Sequence, residues 1–248
     1  MPSFSTLHQK EIKVQPSFRS SFTTGRLVGI LLLLQLAAAL TLPFILSKPI
    51  TVGSPAFLTA VAEHSFQIRM AVLLSFVGAA LTVYLGITMF QELRLYSKPA
   101  ALLFLVVCSL SCVLDMVHAG TILSMLSISN AFVTSGAVNS ELYQVVGAAV
   151  ASSRRSAHAT QLLAIGAWMF VFYISLLRFK LVPIVLSIMG IIGITLQFVG
   201  VTIMMFLGRS LISEIAMPLL PIQIAVAVWL IFKGFNGPSQ KLAALSGI

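Results

Sequence analysis

The sequence predicts an all-α, polytopic membrane bundle of about six transmembrane helices, with short interfacial helices on the outer side. Three observations carry this. Of 248 residues, 58% are hydrophobic and only 8% charged, where a soluble domain carries about 25% charged residues. Six apolar runs recur with no soluble block between them, each near the roughly 20 residues a helix needs to cross the hydrocarbon core. No series of short alternating segments offers barrel strands, so backbone amides in lipid must be paired within helices.

The elements follow in order. Residues 1–25 are polar and rich in Ser, Thr and Pro, with Lys10, Lys13 and Arg19, and read as a flexible basic cytoplasmic tail. The membrane domain covers 26–235, and 236–248 form a C-terminal cytoplasmic tail. The first run, 27–47, exceeds the 7–15 residues of a usual signal-peptide core, so it reads as an uncleaved span. Ser54-Pro55 is a helix start, a capping hydroxyl followed by proline at the first helical position. That surface helix runs to about Gln67 with Phe57, Leu58 and Val61 on one side. Spans two and three are 70–90 and 100–127. A second surface helix is expected from Ser140 to Ser152, and the last spans are 157–177, 182–207 and 213–232. Arg94, Lys98 and Pro99 before the third span echo Arg178, Lys180 and Pro183 before the fifth. Any inner turn carries such residues, so the echo does not establish a repeat.

The net charge is +9, but the basic residues are dispersed between apolar runs, as bilayer insertion uses them. No basic patch with interleaved aromatics exists, which argues against nucleic acid as a partner. With the N-terminus inside, ten of the 15 basic residues fall in inner segments and five (Lys48, Arg69, Arg154, Arg155, Arg209) in outer ones. That bias places both termini in the cytoplasm. Cys108 and Cys112, one turn apart within an apolar run, read as packing residues, because helical geometry does not suit a disulfide.

Asp115 is the one acidic residue well inside an apolar run. A mid-membrane aspartate costs about 2.5–3.5 kcal/mol on insertion scales, so it should face a partner or water. Cys108, Cys112, Asp115 and His118 share about a third of the helix circumference. Counting from Ala100, Asp115 lies about 22 Å and His118 about 27 Å along the helix, both in its outer half. His158 and Gln161 open the fourth span, Gln197 is in the outer half of the fifth, and Arg69 and Glu214 stand at the outer ends of the second and sixth. The inner halves are nearly bare. This agreement in depth predicts an outward-facing polar pocket lined by Asp115, His118, His158, Gln161 and Gln197 and rimmed by Arg69 and Glu214. The bland readings are a structural Asp115–His118 pair, a headgroup-level His158 and ordinary interfacial anchors.

No phosphate-cradling glycine loop, HExxH pair or GxSxG turn is present, so no catalytic residue, metal ligand or cofactor is assigned. Arg26-Leu-Val-Gly-Ile, Phe66-Gln-Ile-Arg69, the run from Gly166 to Arg178, the run from Leu181 to Gly190 and Ala227-Val-Trp-Leu-Ile-Phe-Lys-Gly234 resemble a bacterial membrane family called domain of unknown function 4386. The resemblance covers about 26–235. It implies a multi-pass inner-membrane protein and no activity. Arg69 matches the family's arginine before the second span. Asp115 stands near a frequent glutamate, and His158 near a histidine before the fourth span. The arginine that tends to precede that glutamate has no counterpart here.

Three readings of function follow. One is a permease or sensor with a pocket for a small polar ligand or ion. A second is a non-catalytic scaffold that holds partner membrane proteins in the bilayer. The third, with least support, is a membrane enzyme or haem carrier using Asp115, His118 and His158.

Overall fold

A computed structural model describes residues 18–46, 57–136, 138–208 and 217–236. They form helices α1 (Phe18–Leu46), α2 (Phe57–Glu63), α3 (Ser65–Leu93), α4 (Lys98–Thr134), α5 (Ser140–Arg178), α6 (Ile184–Leu207) and α7 (Leu219–Lys233). Five of these are long and apolar enough to cross a membrane, and α7 adds a shorter apolar helix of 15 residues. The principal helix contacts run α1–α3–α4–α5–α6–α7 and back to α1, a closed circuit of six helices, with α2 laid mainly against α4. The protein is a polytopic membrane helical bundle.

Small residues close the circuit. At Gly25 an added Cβ would sit 2.5 Å from the Phe235 amide nitrogen, and at Gly29 2.6 Å from the Ala227 carbonyl. Only hydrogen fits there, so α1 and α7 approach backbone to backbone. Ser21 Oγ donates to Glu92 (3.2 Å), and the Asn236 amide donates to the Leu181 carbonyl (2.9 Å). The start of α1, the end of α7 and both the α3–α4 and α5–α6 turns therefore meet at one end, here the proximal end. Ser97 caps α4, its hydroxyl accepting from the Ala100 amide at 3.4 Å, while Pro99 fits the first turn, where its missing N–H costs nothing. Lys180 takes a left-handed backbone conformation (φ 54°) to turn into α6.

Two apolar clusters fill the bundle. The proximal one joins all six helices of the circuit through Leu32, Leu85, Met89, Phe104, Cys108, Trp168, Phe172, Ile194 and Leu230. The distal one joins Phe57, Leu58 and Val61 of α2 to Ile68, Val72, Ala119, Ile122, Met125 and Ala151. On α4 the buried residues change from apolar Phe104 and Cys108 to polar Ser111, Asp115 and His118, and back to apolar at Ala119 and Ile122. A polar layer thus lies between two dry clusters.

Several boundaries differ from expectation. Residues 18–25, read as tail, are helical, because α1 starts at Phe18. The remaining tail residues, 1–17 and 237–248, lie outside the described residues, as do Ser54-Pro55 and the first part of the expected sixth span. The expected helix through Gln67 stops at Glu63: a bend at His64 (φ −96°, ψ 22°) separates α2 from α3. Phe57, Leu58 and Val61 do share a face, and it is buried. Ser140–Ser152 is helical but is no separate surface helix. It continues without a break into the fourth span, so α5 has 39 residues and α4 has 37. At about 1.5 Å per residue these helices are about 55–60 Å long, well beyond a hydrocarbon core of about 30 Å.

Candidate functional site

The polar layer is built on α4 and α5. Their antiparallel pairing through the distal turn brings Asp115 opposite Gln161 and His118 opposite His158. Gln161 Nε2 donates to Asp115 Oδ1 at 2.8 Å, and His158 Nδ1 lies 3.1 Å from Gln161 Oε1. Because the Gln161 amide nitrogen is committed to the carboxylate, its oxygen must accept, and His158 Nδ1 carries the proton. The polarity runs His158 to Gln161 to Asp115, which leaves Nε2 of a neutral His158 as a lone pair.

His118 does not pair with Asp115. Its ring packs against that of His158 with centroids 4.9 Å apart and planes tilted by 35°. Two imidazoles ligating one iron from opposite faces would hold their centroids about 6 Å apart, given metal–nitrogen bonds of about 2 Å, with a macrocycle between them. At 4.9 Å the two rings leave no room for one. Among the described residues no group of three His, Cys, Asp or Glu side chains has metal-holding geometry.

Among the described residues, three polar atoms beside this chain are buried without a hydrogen-bond partner. They are His118 Nε2, Ser111 Oγ one turn proximal to Asp115, and Arg154 Nε one turn before His158 on α5. Leaving such a group unpaired costs about 1–3 kcal/mol, and these three lie close to one hydrogen-bond chain, whereas the other such atoms are scattered through the bundle. Arg154 was counted in the sequence only as an outer basic residue. Its four-residue spacing to His158 was the available signal.

The remaining candidates are placed as follows. Gln197 is buried and reaches α5, but donates to the backbone carbonyl of Leu162 at 3.1 Å rather than to the Asp115 chain. Arg69 is exposed on α3, more than one turn distal to the layer. Glu214 lies outside the described residues. A shallow cleft between α2 and the distal part of α4, lined by Thr59, Glu63, Asn130 and Thr134, shares no residue with the layer.

A second buried carboxylate was missed by the sequence reading. Glu92, at the proximal end of α3, is 3% exposed and accepts from Ser21. It follows Leu85 and Met89 at the spacing of one buried helix face, the signal that could have found it. Tyr96, in the adjoining turn, stacks on Phe179 at 5.1 Å and keeps a buried hydroxyl without a partner. Burial first, and then the Glu92 charge, push its phenol up to about 12.

The family described as Domain of unknown function (DUF4386) matches residues 27–234. The chain belongs to this family. No curated protein and no solved structure matches it. Membership of DUF4386 agrees with the apolar helical architecture and assigns no activity, so the chemistry of the DUF4386 chain has to be argued from its own polar layer.

Proposed function

We propose that this chain is a multi-pass protein of the cytoplasmic membrane, with both termini cytoplasmic, whose α4–α5 polar layer binds a small polar ligand or ion from the outer side. The observation that carries the reading is His118 Nε2. It is buried and without a hydrogen-bond partner among the described residues, beside a chain in which His158, Gln161 and Asp115 are bonded in series. A sealed network made only for packing would be expected to satisfy its own members. Asp115, Gln161 and His158 fix the geometry, and His118 offers the free nitrogen. The ten-to-five distribution of basic residues supports the orientation. No nucleophile–base pair is part of the layer, so binding rather than catalysis is the role proposed.

The test uses Gln161→Cys in a Cys108→Ala, Cys112→Ala background, exposed in intact cells to a membrane-impermeant thiol reagent. Labelling from outside supports the site. No labelling, with Asp115→Asn merely lowering stability, would leave the layer a packing device.

A second reading, a scaffold for partner membrane proteins, draws on the length of the α4–α5 hairpin. Its distal part carries exposed Val138, Leu142 and Val145, each more than 60% exposed, on helices longer than the hydrocarbon is thick. A photo-crosslinker at Leu142 should then capture a discrete membrane protein. Crosslinks to lipid alone would dismiss the scaffold.

A further inference from the structure

The unpartnered atoms of the polar layer are of one chemical kind on its distal side. Arg154 Nε is a permanent N–H donor. His118 Nε2 has no hydrogen-bond partner among the described residues, and the neutral ring donates from that nitrogen in its Nε2–H tautomer. Arg154 and His158 lie one turn apart on one face of α5, and the His118 ring packs against His158 with centroids 4.9 Å apart. Among the described residues no carboxylate is paired with Arg154. Asp115, the one acidic residue of α4, is committed to Gln161 and lies a turn proximal to His118. Glu141, the one acidic residue of α5, is thirteen residues away. A half-buried guanidinium with no counter-ion among the described residues repels a cation and calls for an anion.

Resting on the binding role proposed above, we infer that the ligand is an anion carrying a phosphate group, free or as a lipid headgroup, held between Arg154 Nε and His118 Nε2. The phosphate fits on three counts. Several acceptor oxygens match donors that arrive from two helices. Guanidinium is the side chain suited to phosphate. Arg154, half-buried, lies on the distal side of His118 and His158, while Asp115, held by Gln161 on the proximal side, would repel an anion that moved deeper. His158 donates through Nδ1 to Gln161, so its Nε2 has no proton to offer the anion. Its part is to hold the His118 ring by packing against it.

Two arms test this on the full-length protein. In the first, protein in neutral detergent is titrated with inorganic phosphate by microscale thermophoresis. In the second, protein taken from vesicles of phosphatidylglycerol and phosphatidylcholine is analysed by native mass spectrometry for retained phosphatidylglycerol. Binding in the first arm identifies a free phosphate, and retention in the second alone identifies a lipid headgroup. In the positive arm, Arg154→Gln and His118→Gln should each weaken binding about tenfold or more, the worth of one charge-assisted hydrogen bond. Arg154→Lys, which keeps charge but loses the fork, should fall between. Arg155→Gln, at the exposed neighbouring position, should change nothing, and each variant's melting temperature checks that it folds. The inference is overturned if neither arm shows binding, or if Arg155→Gln weakens binding as much as Arg154→Gln. A Gln161→Cys that labels from outside while both arms stay negative would reject the phosphate and keep the pocket. Failure of the label with phosphate bound would reject the outward opening and keep the anion.

Discussion

Gln161 on α5 bridges two side chains, donating to Asp115 Oδ1 at 2.8 Å while its amide oxygen faces His158 Nδ1 at 3.1 Å. One residue therefore satisfies a buried carboxylate on the neighbouring helix and sets the tautomer of a histidine on its own.

Replacing the bridge should expose this dependence. Gln161→Leu leaves a buried carboxylate oxygen and an imidazole N–H without partners, and should destabilise by about 1–3 kcal/mol. Asp115→Asn should cost less, since an amide oxygen still accepts from Gln161. Asp115→Ala removes the acceptor, so thermal unfolding of Gln161→Leu, of Asp115→Ala and of the double variant gives the coupling directly. Additive effects would mean that the bond contributes nothing.

The glycines of α6 and α3 should respond in opposite ways. Gly190 lies against the Tyr173 ring, where a Cβ would overlap the aromatic carbons. Gly190→Ala should separate α5 from α6 and cost about 1–3 kcal/mol or more. Gly78 has nothing within 4 Å of an added Cβ, so Gly78→Ala should be neutral or stabilise by up to about 1 kcal/mol through helix propensity. Melting temperatures decide, and equal losses at both positions would contradict the packing.

The orientation gives a third expectation. Reporter fusions at Lys98 and Lys180 should read as cytoplasmic and those near Ser140 as external. An external reading at Lys98 or Lys180 would invert the proposed topology.

Much of this was legible in the sequence because lipid leaves few options. Backbone groups must be paired within each apolar run, so helices and their approximate ends follow from composition. Helix length beyond the hydrocarbon was less legible. Arg154 and Arg155 interrupt the apolar pattern and read as a loop. Yet the backbone hydrogen bonds of α5 continue through them, because no proline or glycine breaks the run from Ala148 to Ile165. Depth alone placed Asp115, His118, His158 and Gln161 in one layer, since position along a helix is a count of residues. Who bonds to whom depends on how each helix is rotated, which the count does not contain. That is why Gln161, not His118, proves to be the partner of Asp115. Glu92 was hidden for a related reason: it ends an apolar run, where carboxylates usually meet water, and only the helical start of α1 at Phe18 brings Ser21 over it.

The central claim is that the layer holds space for a hydrated ligand rather than a sealed contact. Radiolytic hydroxyl-radical footprinting of the wild-type protein in nanodiscs, read residue by residue by mass spectrometry, reports water beside buried side chains. His118 and His158 should be oxidised readily despite their burial, while Trp168 and Phe104 of the proximal cluster stay protected once intrinsic reactivity is normalised. Protection of His118 equal to that of Trp168 would show a dry layer and contradict the account.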